Sequence, residues 1–432
     1  MVTTRSGRSP VAAAKSPAKA TTPRKKAAKK SATAPAAATG DDLELVHVML
    51  LFRHGDRSPI TTQVGEHLVM DAAEKEFWIS KLPTDDTIAR LGRIAKVVGM
   101  ETHLPPPKDP RDGGVYPNGQ LTQWGLDQME AKGRKMREQY AHFLDAIAPN
   151  DVYIRSTNVR RTIRSCQSLL HGLLPEFVPT SEDDAAKLFI RTAQVVSLEP
   201  TYTQAEYGTL LARYKDPAFA ATLAPIPSHI GDTAALDADV RRIIGIAPSD
   251  HICYTSLREV LVCRNAHTVP FPNEMPKEIY DKIVDYNTWE FHALFGHAGD
   301  CYRGFSRGMR EFADLVAAVT REATKTHKLT LLAVHDSSLI AFWNALALRV
   351  GNVFPLYAAT TAVEIYKKPS TNELFVQVNL DGDRVVPFTG HETTPMVPLA
   401  HLEATLATFL AQGDDDKKST DAPPAKKAKI NA

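Results

Sequence analysis

Val46-His47-Val48-Met49-Leu50-Leu51-Phe52-Arg53-His54-Gly55-Asp56-Arg57-Ser58-Pro59 is the stretch from which the rest of this chain can be read. Its first seven residues are mostly apolar and β-favouring, and predict a short buried strand of an α/β sheet. The Arg, His, Gly and Pro that follow predict the loop leaving the carboxyl end of that strand, where open α/β sheets bind their ligands. Arg53 and Arg57 flank His54, and Gly55 is expected to let the backbone approach a ligand closely. This chemistry suits a dianionic phosphoryl group with a nucleophile at its centre.

A single histidine after a strand is ordinarily a satisfied loop or core residue. Here it stands inside a pattern. With residue usage near ~5%, the five fixed letters of Arg-His-Gly-x-Arg-x-Pro arise by chance in roughly one chain of this length in ten thousand. The strand-then-loop setting is also the one a genuine site requires. At these residues the chain resembles the histidine acid phosphatase family, whose signature is this segment. The resemblance implies that His54 is the nucleophile and that Arg53 and Arg57 bind phosphate. It also implies an α/β fold: a three-layer α/β/α, phosphoglycerate-mutase-like sheet domain with an inserted, mainly helical cap domain.

Two further strand-to-loop units follow. Asp151-Val152-Tyr153-Ile154 predicts a strand, and Arg155-Ser156-Thr157-Asn158-Val159-Arg160-Arg161-Thr162 leaves it for an amphipathic helix. This resembles the family's Arg-Ser-Thr-x-x-x-Arg-Thr element, which implies Arg161 as the third phosphate-binding arginine. A helix amino terminus there would add its positive end to an anion site. Leu329-Thr330-Leu331-Leu332-Ala333-Val334 predicts another buried strand, ending at His335-Asp336-Ser337-Ser338 before a helix. The resemblance implies His335 as a phosphate ligand and Asp336 as the proton donor. It extends over most of residues 45–380.

Between these units, Thr122 is placed to cap a helix whose Leu126, Met129, Met136, Tyr140 and Leu144 share one face, which predicts packing rather than chemistry. Residues 60–118 read as irregular, with turns at Pro105-Pro106-Pro107 and Asp112-Gly113-Gly114 and one helical piece from Ala72 to Ser80. Residues 175–300 read as mainly helical. Both segments are expected to be cap insertions. His292 and His297 lie near Asp300 and Cys301 at a spacing that matches no metal-ligand pattern, so core or surface roles are expected. No metal and no cofactor is expected.

The chain of 432 residues is 43% hydrophobic and 23% charged, the composition of an ordinary globular protein. No apolar run reaches the ~18 residues of a membrane span, and no hydrophobic amino-terminal signal argues for secretion. The four cysteines, Cys166, Cys253, Cys263 and Cys301, are read as free thiols of a reducing compartment. Charge is unevenly spread. Residues 1–40 carry nine Lys or Arg and no acid, and residues 413–432 carry five Lys and four Asp. That leaves 37 basic and 46 acidic residues in the body, 41–412, which must therefore concentrate positive charge locally to bind phosphate.

Both ends are expected to be disordered, being poor in residues that could pack. The first contains Ser16-Pro17-Ala18-Lys19 and Thr22-Pro23-Arg24-Lys25, similar to linker-histone tails; the second contains Lys426-Lys427-Ala428-Lys429, similar to a short nuclear import signal. A nuclear location is the reading adopted, with weak nucleic-acid contact through residues 1–40; a mitochondrial transit peptide and an inert basic tail in the cytoplasm are the alternatives.

The function implied is metal-independent phosphomonoester hydrolysis through a phosphohistidine intermediate. A catalytically silent phosphatase fold, serving as a nuclear interaction or phosphate-ligand-binding module, is the alternative. The resembled family acts on lysophospholipids, sugar phosphates, inositol phosphates and phosphoproteins. The motifs here lean to its prostatic, lysosomal and lysophosphatidate branch rather than to the phytases.

Overall fold

The computed structural model describes residues 43–99, 115–181, 184–192, 198–214, 216–320 and 327–420, all within a compact unit that begins at Leu43. Residues 1–40, the turns at Pro105-Pro106-Pro107 and Asp112-Gly113-Gly114, and the basic cluster at the far end lie outside the described residues.

The strands in chain order are β1 (Glu44–Arg53), β2 (Gln63–Val64), β3 (Leu68–Val69), β4 (Ala95–Gly99), β5 (Val152–Ser156), β6 (Leu188–Thr192), β7 (Leu329–Val334), β8 (Thr360–Lys367), β9 (Leu374–Leu380), β10 (Arg384–Val386) and β11 (Val397–Pro398). Apart from the small β2–β3 hairpin they form one mixed sheet in the order β10-β9-β8-β1-β7-β5-β6-β4, with β11 against β9. From β1 through β7, β5 and β6 to β4 the pairing is parallel. On its other side β1 pairs antiparallel with β8, which leads to β9 and β10.

The central strands are apolar on both faces because both faces are covered. Met49 and Leu51 of β1, with Leu332 and Val334 of β7, pack against helices Ala298–Thr320, Asp336–Ala345 and Leu399–Thr420. The alternate residues Val48, Leu50, Phe52, Leu331 and Ala333 face helices Asp85–Ile94, Gln123–Gln139 and Arg160–Leu173. Helix on sheet on helix is the three-layer arrangement expected. A separate core is built by helices Thr233–Ile244, Tyr254–Ala266 and Lys277–Gly296 around Val240, Leu257, Leu261 and Ile283. It is the mainly helical second body.

Three expectations are corrected. Residues 60–118 are not irregular with a single helix: Ala72–Lys81 and Asp85–Ile94 are both helical, and β4 follows directly. Nor do the presumed insertions belong wholly to a cap, since β4 and β6 form the far edge of the central sheet. Each strand is only five residues long; β4 is largely exposed, and in β6 the exposed Phe189 breaks the apolar–polar alternation that its burial follows. At the other end, helix Leu399–Thr420 runs past the tail boundary drawn at residue 413. The charges after Gly413 argue against a core but do not by themselves stop a helix.

Register sets up the site. Arg53 lies opposite Val334, and Ser156 opposite Ala333, so β1, β7 and β5 end level with one another. The loops opening with His54, Thr157 and His335 therefore leave the sheet side by side.

Candidate active site

The loop after β1 is pinned by backbone and side chain together. His54 N–H donates to Val334 O at 3.3 Å, and Gly55 N–H to Ser165 Oγ at 3.1 Å. Gly55 serves a purpose other than the one expected. A Cβ there would stand 2.2 Å from Gly125 O, so the missing side chain admits the helix Gln123–Gln139 rather than a ligand. Asp56 is wholly buried; its Oδ2 accepts from Thr122 Oγ1 at 2.6 Å and lies 2.6 Å from His267 Nε2. The same Thr122 caps that helix through Gly125 N–H, as its sequence predicted.

His54 is buried, and its Nδ1 stands 2.8 Å from Gly55 O. A carbonyl can only accept, so Nδ1 carries the hydrogen and Nε2 keeps its lone pair. Burial holds the imidazole well below its usual pKa, and the charges of Arg161 and Arg53 add to this. His54 is therefore neutral with one nitrogen free.

The expected arginines converge from two strands. Arg53 places Nη2 2.7 Å from Asp336 Oδ2, donates from Nη1 to Pro355 O at 2.8 Å, and stacks 4.2 Å over the Tyr357 ring. Arg57 donates from Nη1 to Glu259 Oε1 at 2.5 Å. Arg161, in the first turn of its helix, reaches His335 Nδ1 at 3.5 Å. Burial lowers Arg161 to about 10, with Arg57 adding to the shift, so it stays charged at neutral pH. Within the described residues, the Nε atoms of Arg53, Arg57 and Arg161 and the Nη1 of Arg161 have no hydrogen-bond partner. Buried cationic donors facing one centre fit an anion with several oxygens.

His335 and Asp336 open the helix Asp336–Ala345. His335 Nε2 lies 3.0 Å from Thr157 Oγ1 and 3.7 Å from Glu199 Oε2. Burial pulls its pKa down to about 4, Glu199 opposing and Arg161 reinforcing. Asp336 is the more accessible partner, its side chain 23% exposed. Burial alone would raise its pKa, but Arg53 and Arg258 hold it well below the usual carboxylate range.

Arg258 and Glu259 were not singled out from the sequence. They sit on one turn of the helix Tyr254–Ala266, in the second body. Arg258 lies 3.2 Å over the Phe354 ring, is lowered to about 10 by burial and by Arg53, and leaves its Nε without a partner among the described residues. Glu259 also accepts from the N–H of Ile60 and Thr61 at 2.5 and 3.3 Å, tying Arg57 to its own loop. A charged pair inside the apolar run Leu257 to Val262 was the available signal. His292 and His297 take structural roles: His292 Nε2 meets Val353 O at 2.9 Å, and His297 Nδ1 stands 3.0 Å from the buried Asp300. Among the described residues, no group of three or more His, Cys, Asp or Glu side chains is placed to hold a metal ion. The four cysteines are free, and no described helix is long and apolar enough to cross a membrane.

Level strand ends delivering a neutral histidine, an aspartate and several buried arginines to one point define a class: an α/β phosphatase centred on histidine. A model of the histidine phosphatase superfamily, branch 2, matches residues 44–221. The matched stretch takes in the loops after β1 and β5, with His54, Arg57 and Arg161. The chain is 26% identical over 373 residues to lysophosphatidic acid phosphatase type 6 of Bos taurus, covering 80% of this chain and 79% of that one. Over 406 residues it is 26% identical to lysosomal acid phosphatase of Xenopus laevis, covering 87% and 79%. The apo phytase of Hafnia alvei superposes with a TM-score of 0.55 at 14% identity, over 87% of this chain and 98% of that one, which shows a common fold.

Proposed function

We propose that this phosphatase hydrolyses phosphomonoesters in two displacements, with His54 as the nucleophile. Its Nε2 lone pair attacks phosphorus while the bond to the ester oxygen breaks, and Asp336 gives the departing oxygen its proton. Water then attacks the phosphohistidine, Asp336 takes up its proton, and phosphate leaves. Arg53, Arg57 and Arg161 grip the non-bridging oxygens and carry the charge that shifts during transfer. His335 completes the phosphate contacts.

The observation that carries this reading is the tie between His54 Nδ1 and Gly55 O, which leaves Nε2 unprotonated beneath the guanidiniums. These cations supply the charge that a divalent metal would otherwise provide, so turnover is expected to survive EDTA. The lysophosphatidic acid phosphatase and lysosomal acid phosphatase relatives favour small phosphomonoesters, lysophospholipids among them, as substrates.

Quenching into alkaline denaturant after mixing with 32P-labelled p-nitrophenyl phosphate should trap a phosphoprotein, stable in base and labile in acid, that His54→Ala cannot form. Equal labelling of His54→Ala would end the proposal. A nuclear address in the tails is a separate reading; a fluorescent fusion of residues 41–420 distributed like the full chain would remove it.

A further inference from the structure

The hydrogen bond from His54 Nδ1 ends on one peptide unit, the one joining Gly55 to Asp56. Its carbonyl faces the imidazole at 2.8 Å, and its N–H, which belongs to Asp56, donates to Gln128 Oε1 at 2.9 Å. A trans peptide is planar and carries its C=O and N–H on opposite sides, so the group that holds one end aims the other. Gln128 therefore acts on the imidazole through this peptide.

Gly55 makes the hold necessary. Turning the peptide over takes a rotation of ψ at Gly55 against φ at Asp56, and a residue without a Cβ resists that rotation least. Turned over, the unit would present an N–H to Nδ1. Nδ1 would then have to accept, the hydrogen would pass to Nε2, and the lone pair needed at phosphorus would be lost. One orientation gives a nucleophile; the other gives a hydrogen-bond donor.

The helix Gln123–Gln139 is laid along the loop so as to hold the first orientation. Its cap, Thr122, donates its backbone N–H to Asp56 O at 3.0 Å. Gly125 lets the helix come so close that a Cβ there would stand 2.1 Å from the same oxygen. Gln128 lies three residues beyond Gly125 and so shares its face of the helix. On the other side of the unit, Gly55 N–H donates to Ser165 Oγ at 3.1 Å, and His54 O accepts from Ala358 N–H at 3.1 Å.

We infer that Gln128 is a positioning residue for the nucleophile: by accepting from the Asp56 N–H it keeps the Gly55 carbonyl turned to His54 and the imidazole hydrogen on Nδ1. The inference rests on His54 as the nucleophile and adds what selects its tautomer.

Two variants test it. Gln128→Met keeps the length of the side chain and suits a helix, but gives the N–H no oxygen. Gln128→Glu keeps the acceptor. Spectra of the full-length protein carrying 15N-labelled histidine distinguish a ring protonated at Nδ1 from one protonated at Nε2, and His54→Ala identifies the His54 signals. The wild type should show the Nδ1–H form. Gln128→Met should shift His54 toward the Nε2–H form and lower kcat by up to about tenfold, the upper worth of one neutral hydrogen bond. Gln128→Glu should restore both. Affinity for inorganic phosphate, which the arginines hold, should stay at the wild-type value in both variants. An unchanged His54 tautomer in Gln128→Met overturns the inference, as do equal losses in the two variants or a loss of phosphate affinity that matches the loss of kcat. The spectra need no turnover, so a chain whose tautomer follows residue 128 but whose His54 is never phosphorylated loses the phosphatase reading alone.

Discussion

Arg53 Nη2 lies 2.7 Å from Asp336 Oδ2, which binds the loop after β1 to the loop after β7. The contact also sets a chemical problem. A proton donor must be protonated when it acts, yet Arg53 and Arg258 keep Asp336 ionised in the unliganded protein. A bound dianion resolves this, because it draws on the same guanidinium and places negative charge beside the carboxylate, raising its pKa.

Sulfate, a dianion throughout the accessible pH range, should therefore take up protons as it binds at pH ~5. Calorimetry in two buffers of different ionisation enthalpy measures the uptake. Asp336→Asn should remove the larger share of it and His335 supply the remainder. Binding without uptake would contradict the proposed donor.

Leaving-group chemistry gives a second check on Asp336. Asp336→Asn is expected to lose about 10²–10⁴-fold in kcat on alkyl phosphates, the usual worth of a positioned acid. On p-nitrophenyl phosphate, whose departing oxygen needs little protonation, the loss should be much smaller. Equal losses on both substrates would mean that Asp336 acts in another way.

Arg258→Met keeps the stack on Phe354 but removes one of the two cations that depress Asp336. Without it the carboxyl titrates higher, so the limb of the pH–kcat profile on which activity falls with rising pH should move upward. An unmoved limb would leave Arg258 with a packing role only.

Acid should weaken the unliganded fold. His47 and His335 are held near 4 against an ordinary 6.5, chiefly by burial. Between those values the unfolded chain binds more protons than the folded one, so their stabilisation is present above pH 6.5 and lost as pH falls toward 4. Each shift of that size corresponds to a free energy on the order of 3 kcal/mol. His47 bonds Thr330 Oγ1 at 3.2 Å, away from the catalytic groups, and His47→Gln should flatten the fall of Tm with pH. A Tm independent of pH across this window would refute the assignment.

Gly55→Ala is expected to lower both stability and turnover, since its Cβ would meet the Gly125 carbonyl at 2.2 Å. Overpacking of this kind typically costs about 1–3 kcal/mol. A variant with wild-type Tm and kcat would show that the loop tolerates a wider gap from the helix.

The amino-acid sequence by itself singled out the side chains that gather at the candidate site. His54 with Arg53 and Arg57, Arg161, and His335 with Asp336 each follow a strand within a few residues, so their setting is local and can be read in one dimension. It determined the layered fold too, because strands covered on both faces must be apolar throughout. The tertiary structure alone decided what depends on elements meeting across the chain. Parallel register levels the ends of β1, β5 and β7, and packing of the helical body brings Arg258 and Glu259 to arginines some two hundred residues earlier. Gly55 needed Gly125 before its missing side chain had a meaning. No local pattern records such partners, since periodicity reports which face of an element is buried and not what buries it.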